Sequence, residues 1–295
     1  MSLQEVAIAV PSASEAADDS VKGLFKWVQG NADLLSGAVG GPLVVGTLTP
    51  QRNGMTLAAK DVSSSFFGIY KQVFSAGFFA GWRGGSIPVI AAVPQFTAIG
   101  PVYLMCEQQI GSPTVSMFGA SVVESTFTFS AQRRNAQIQY NATVPAAQRV
   151  PQHSVYRLLG AGYVPHVFRN MFAQMGIRLF SPHSYEVVST LPGIRSLNER
   201  SKLFASDLAS SVVAATLSMP FNHMFSWASC TPELDKMSYW RRATAMSGWL
   251  INNYREQGMR LLGRDLLIRI NYTAYLFTGY RFVERLMVDF SQGSL

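Results

Sequence analysis

Charge is what this chain of 295 residues has least of: Asp, Glu, Lys and Arg make up 14% of it, against about 25% in an ordinary soluble domain. With 48% hydrophobic residues and a mean hydropathy of +0.15, too little charge remains to coat a water-facing surface. The composition turns away from soluble enzymes and toward a membrane protein. Cysteine is scarcer still. Cys106 and Cys230 stand in apolar stretches with no second ligand beside them, which argues against a disulfide framework or a thiolate metal centre. His153, His166, His183 and His223 contain no i, i+4 pair, so the common helical zinc site is missing and no metal is expected. A nucleophile with an adjacent base, carboxylates at catalytic spacing and a phosphate loop after a strand are all absent, and neither an enzyme nor a cofactor is expected.

An addressed amino terminus is lacking too. The first thirty residues hold Glu5, Glu15, Asp18 and Asp19 but no Arg, the reverse of a transit peptide, and they have no long apolar run like that of a signal peptide. Asn141-Ala-Thr and Asn271-Tyr-Thr match the glycosylation acceptor pattern, which carries no weight without a secretory context. The net charge of +7 is not gathered into a basic stripe with interleaved aromatics, and nucleic acid is set aside as a partner. Basic residues at helix ends suit anionic lipid head groups instead.

What the chain does contain is uncharged runs. Residues 34–51, 84–106 and 208–232 carry no charge, and 108–132 carries only Glu124. Segments 170–185 and 266–283 are apolar but hold Arg178, Arg269 and Arg281. A charge at mid-bilayer costs roughly 2.5–3.5 kcal/mol even on the lenient scale, so these helices are expected to face one another or a wet cavity. Gly37, Gly40, Gly41, Pro42, Pro88, Pro94 and Pro101 within the runs suit close packing and kinked membrane helices.

The runs alternate with a recurring segment. It reads Ala76-Gly77-Phe78-Phe79-Ala80-Gly81-Trp82-Arg83-Gly84 first, then Ala161-Gly162-Tyr163-Val164-Pro165-His166-Val167-Phe168-Arg169-Asn170, then Gln257-Gly258-Met259-Arg260-Leu261-Leu262-Gly263-Arg264-Asp265. Each is followed by a span with a Tyr near its far end, Tyr103, Tyr185 or Tyr280. A short surface helix ending at Gly, then a helix whose N-terminal amides hold a lipid phosphate, accounts for the pattern at a membrane face.

On these residues, from about 31 to 290, the chain resembles the mitochondrial carrier family. The resemblance implies an all-α membrane protein with six transmembrane helices in three tandem two-helix repeats, short matrix-side helices and a pseudo-threefold bundle. An N-terminal extension at 1–30 would precede repeats at 31–112, 113–200 and 201–295. It also implies residence in the mitochondrial inner membrane, with cardiolipin bound at the turns formed by Trp82, Arg83 and Gly84, by Arg169 and Asn170, and by Gly263 and Arg264.

The family's gates do not carry over. Its acidic gate positions fall on Arg52, Arg134 and Asn222, and the basic ones on Met55, Gln137 and Phe225. In the second gate one charge-swapped pair, Arg281 with Glu107, is left. The family's central substrate site falls on Ala91 and Ala92 in the first repeat, with Arg178 and Arg269 as the nearest charged candidates in the others. A degenerate carrier is therefore expected, a structural or adaptor subunit of an inner-membrane assembly such as a respiratory complex, without transport. The alternative is an atypical transporter exchanging a small anionic metabolite. Arg52 and Arg134 are expected to meet with like charge and to need an anion from a partner or a lipid.

Overall fold

Proline and glycine decide where the helices of this chain stop and bend. The computed structural model describes residues 36–291, so the extension expected at 1–30 lies outside the described residues. A π-helical turn, Ser36–Gly40, leads into α1, Gly41–Thr47, and after a kink at Leu48 into α2, Thr49–Ala58. Pro50 causes the kink: it has no N–H to donate and its ring displaces the carbonyl four residues back. That carbonyl belongs to Gly46, and it accepts instead from Trp82 Nε1 at 3.1 Å. The bend thus pins the first recurring segment to the first helix.

Helix α3, Phe66–Val73, is capped by Ser65, whose hydroxyl accepts from the Gly68 N–H. A 3₁₀ turn, Phe78–Trp82, leads into α4, Ser86–Ile110, which ends at Gly111 with φ 68°, a left-handed position that favours glycine. Helix α5 runs Pro113–Thr143, α6 Tyr163–Met175 and α7 Ser181–Val188, the last two joined by a π-helical turn, Gly176–Phe180. Helix α8, Glu199–Ser229, takes Asn198 as its cap; a 3₁₀ turn, Pro232–Lys236, then leads to α9, Tyr239–Ser291, which breaks at Gly258. Gly77, Gly162 and Gly258, the leading glycines of the three recurring segments, all have positive φ and each precedes a helical stretch.

The termini of the bundle meet through α2. It packs against α5, α8 and α9, and nearly all its residues are buried. Its last carbonyl, orphaned by the end of the helix, and two of the loop that follows are gathered by Arg264 of α9, which donates to Ala58 O, Asp61 O and Ser64 O at 2.8, 2.6 and 2.8 Å. An apolar cluster of Val44, Leu48, Met55, Ile69, Ile268 and Tyr272 backs this junction. Asn53 adds a polar tie, donating to Gly81 O at 2.9 Å while its own oxygen accepts from Asn135 of α5 at 3.0 Å.

The expected six-span carrier bundle is overturned. Every described element is helical, but among the described residues only Ser86–Ile110 and Glu199–Ser229 are long and apolar enough to cross a membrane, and the apolar helix Gly37–Thr47 is short. The reasons are local. Helix α5 has the length but carries Glu124, Gln132, Arg133, Arg134, Asn135, Gln137 and Gln139. The stretch after Gly162 is divided where Gly176 and Pro182 interrupt it. Helix α9 carries Arg260, Arg264, Asp265, Arg269, Arg281 and Arg285. Uncharged runs in the sequence therefore overstated the number of apolar helices.

Arg133, almost fully buried, forms a two-pronged ion pair with Asp235 of the Pro232–Lys236 turn at 3.1 and 2.6 Å, and Asp235 also accepts from the Ala161 N–H at 2.8 Å. Burial alone would raise the Asp235 carboxyl, but the Arg133 guanidinium and the Ala161 N–H hold it below its ordinary 3.8. A carboxyl with a depressed folded pKa stabilises the fold above its unfolded value and loses that contribution as pH falls through the folded one. We predict that Arg133→Met lowers stability at neutral pH by about 3 kcal/mol. Its melting temperature should also fall less steeply than the wild type's below pH 3.8. Thermal melts across that range check both outcomes.

Candidate functional site

Three arginines from three separate helices converge in the interior. Arg52 of α2, Arg169 of α6 and Arg269 of α9 line one small cavity of about 40 Å³, together with Gln95, Glu124, Gln132, Asn170 and Tyr272. All three guanidinium groups are buried. Glu124 is the only carboxylate in the lining, and none of the three arginines forms an ion pair among the described residues.

Neutral groups solvate these cations. Arg169 donates to Gln132 Oε1 at 2.8 Å, to Asn222 Oδ1 at 3.3 Å and to Asn170 Oδ1 at 3.2 Å, and its charge lies 4.9 Å from the centre of the Phe225 ring. It also meets His166 Nδ1 at 2.8 Å. An arginine only donates, so this nitrogen accepts and the imidazole carries its proton on Nε2, which donates to Thr128 Oγ1 at 3.0 Å. Arg269 donates to Ser218 Oγ at 3.0 Å and approaches the Met55 sulfur at 3.7 Å. Arg52 donates to the Tyr272 hydroxyl at 3.1 Å, and its Nη1 has no hydrogen-bond partner. The Tyr272 ring is shared: the charges of Arg52 and Arg269 lie 5.9 and 5.4 Å from its centre, and each gains from the negative π face.

Glu124 is held rigidly. One oxygen accepts from Gln95 Nε2 at 2.7 Å and the other from Gln174 Nε2 at 2.8 Å. The arrangement is a fixed, desolvated, positively charged pocket with a spare donor. It can bind an anion. It offers no nucleophile with a base, and among the described residues no cluster of His, Cys, Asp and Glu could hold a metal ion.

The residues singled out from the sequence scatter differently. Arg269 lines the cavity, but Arg178 does not: its charge stacks 4.1 Å above the Tyr103 ring. Ala92 is buried and Ala91 half-buried, both outside the lining. Arg52 was expected to face Arg134; the cations that share its cavity are Arg169 and Arg269. The other gate positions serve as neutral contacts. Met55 receives Asn222 Nδ2 at 3.4 Å, Phe225 carries the Arg169 charge, and Gln137 bonds Ser229 O at 2.9 Å and the His153 N–H at 2.6 Å. Glu107 accepts from Tyr103 at 3.1 Å, and Arg281 donates to Ile177 O at 3.0 Å.

Two of the three expected lipid turns are corrected. Arg169 and Asn170 belong to the body of α6 and are buried, because the chain turns earlier, at Gly162. Gly263 and Arg264 lie within α9, past the break at Gly258, and Arg264 is occupied by the carbonyls of Ala58, Asp61 and Ser64. Trp82, Arg83 and Gly84 do form a turn, with Gly84 at φ 73° and so close to Asn135 that a Cβ would sit 2.9 Å from its oxygen. Sequence reasoning missed Glu124, Gln95, Gln132, Gln174 and Tyr272 as members of one site. Glu124 alone gave a signal, as the lone charge of an otherwise uncharged run.

Comparison of the chain with protein-family models and with curated proteins finds no match. The site is therefore read from its geometry. Glu124→Gln would turn an amide hydrogen toward one of the two glutamine donors and remove the cavity's only negative charge. Leaving a buried donor unpaired costs about 1–3 kcal/mol, and the melting temperature of the purified variant should fall accordingly. An unchanged melting temperature would mean that the Glu124 carboxylate does not contribute to the cluster.

Proposed function

We propose that this chain is a structural or adaptor subunit docked in a membrane assembly, with the mitochondrial inner membrane and a respiratory complex as the expected setting, and that it moves no solute. The observation that carries this reading is the size of the interior. Sites for metabolites and cofactors measure about 300–1,000 Å³, whereas the arginine cavity is about 40 Å³ and is crossed by contacts such as Arg52–Tyr272 and Arg169–Gln132. The outer surface supports it as well. Helix α8 buries Ser206, Asp207, Ser210, Ser211 and Ser218 and exposes Phe204, Leu208, Val212, Val213 and Leu217, the polarity expected of a helix whose outer face meets lipid or another apolar chain. On α4, Ile90, Val93, Leu104 and Met105 are exposed likewise.

A surface groove of about 530 Å³ runs between residues 62–66 and the part of α9 around Met259, Arg260 and Leu267. Its mixed lining, with the exposed Arg260 at one side, suits the head group of an anionic lipid such as cardiolipin.

Two arms test the proposal. Native gels of mild-detergent extracts should show the protein migrating in a large complex. Liposomes containing the purified chain should exchange nucleotides, keto acids, amino acids and phosphate no faster than empty ones. Saturable uptake of any of these, abolished by Arg269→Ala, would favour the small-anion transporter instead, and migration as a lone chain would remove the adaptor reading.

A further inference from the structure

The cavity's own residues do not balance its charge: three guanidinium groups stand against one carboxylate. All three are buried, and their hydrogen bonds go to hydroxyl, amide, imidazole and thioether groups. Neutral acceptors satisfy donors but leave the net charge in place, and in a low-dielectric interior that charge is what makes burial unfavourable. One donor is not even satisfied. Arg52 Nη1 is buried without a partner, on a side chain that is 6% exposed and lines the cavity.

We infer that the cavity binds a small monovalent inorganic anion, of the charge and size of chloride, held among Arg52, Arg169 and Arg269 as a permanent part of the fold. Size restricts the choice. The cavity, about 40 Å³, is far below the roughly 300–1,000 Å³ of metabolite sites, which suits a small inorganic ion and leaves out nucleotides. Water in the same space would accept from Arg52 Nη1 but would leave the two-charge excess untouched. The internal alternative is ionisation of Tyr272, whose hydroxyl already accepts from Arg52.

The ion has a mechanical consequence. Arg52, Arg169 and Arg269 come from the first, middle and last parts of the chain, so an anion touching all three adds a shared tie to the pairwise bonds Arg52–Tyr272, Arg169–Gln132 and Arg269–Ser218. This inference goes beyond the adaptor proposal and does not depend on it: the site holds or fails whether or not a partner complex exists.

The test uses the full-length purified chain in detergent, exchanged into sodium gluconate and titrated with sodium chloride or bromide at constant ionic strength. Ligand that binds only the folded state stabilises it by mass action. A rise in melting temperature that grows with the logarithm of halide concentration and reaches about 5 °C at ~100-fold over its Kd is expected. Arg52→Gln should abolish the rise, its own melting temperature in gluconate being the baseline from which the rise is read. If that variant does not fold, Arg52→Lys keeps the charge but loses the fork, and should weaken the halide response at least tenfold. The ultraviolet tyrosinate band separates the internal alternative. Equal melting temperatures in chloride and gluconate overturn the inference, as does a rise retained in Arg52→Gln, which places the ion on the surface. So does a tyrosinate band at neutral pH that chloride leaves unchanged.

Discussion

Burying three guanidinium groups around one cavity is the constraint on which the rest of this molecule depends. A buried charge without its partner costs about 3–5 kcal/mol, a large share of the total stability of a typical domain. Arg52, Arg169 and Arg269 nonetheless sit together, solvated by Gln132, Asn222, Ser218 and the rings of Phe225 and Tyr272. Such neutral solvation works only if every neighbour is held in place. The network behind the cavity does that: Thr128 orients His166, His166 orients Arg169, and the two glutamines fix Glu124.

The other buried arginines make the contrast plain. Arg133 has its carboxylate in Asp235, and Arg264 has Asp265 together with the last carbonyl of α2. Each is neutralised by its own chain and acts as a fastener. Among the described buried arginines, the central group is the one left with excess charge. That difference separates the part of the interior that holds the structure closed from the part proposed to receive an anion. Polar groups inside and apolar side chains outside on α4 and α8 are the physical observation behind the proposal that it sits in an assembly.

How much of this was legible in the sequence follows from what each residue type can reveal. The all-helical class was legible, and so was the punctuation: the glycines that lead the recurring segments, Gly77, Gly162 and Gly258, all take positive φ. Arg269 was also legible, because an arginine inside an apolar run demands a polar neighbour. The number of spans was not. Counting uncharged runs ignores neutral polar residues, and α5 is rich in Ser, Thr, Asn and Gln that lower its hydropathy without adding charge. Position within a turn was equally hidden. Arg169 and Arg264 each follow a glycine in the recurring segment, but the helix begins right after Gly162 and Gly258, which puts both arginines on buried faces. The cavity itself joins residues from the beginning, middle and end of the chain, and no local pattern announces Gln95, Gln132 or Tyr272.

The account stands or falls on whether an anion from outside the chain offsets part of the central charge. The most direct measurement is anomalous diffraction from crystals grown with bromide in place of chloride. The account predicts a strong bromide peak within hydrogen-bonding distance of the guanidinium groups of Arg52, Arg169 and Arg269, absent in crystals of Arg52→Gln. Bromide found elsewhere on the protein but not in this cavity would contradict it.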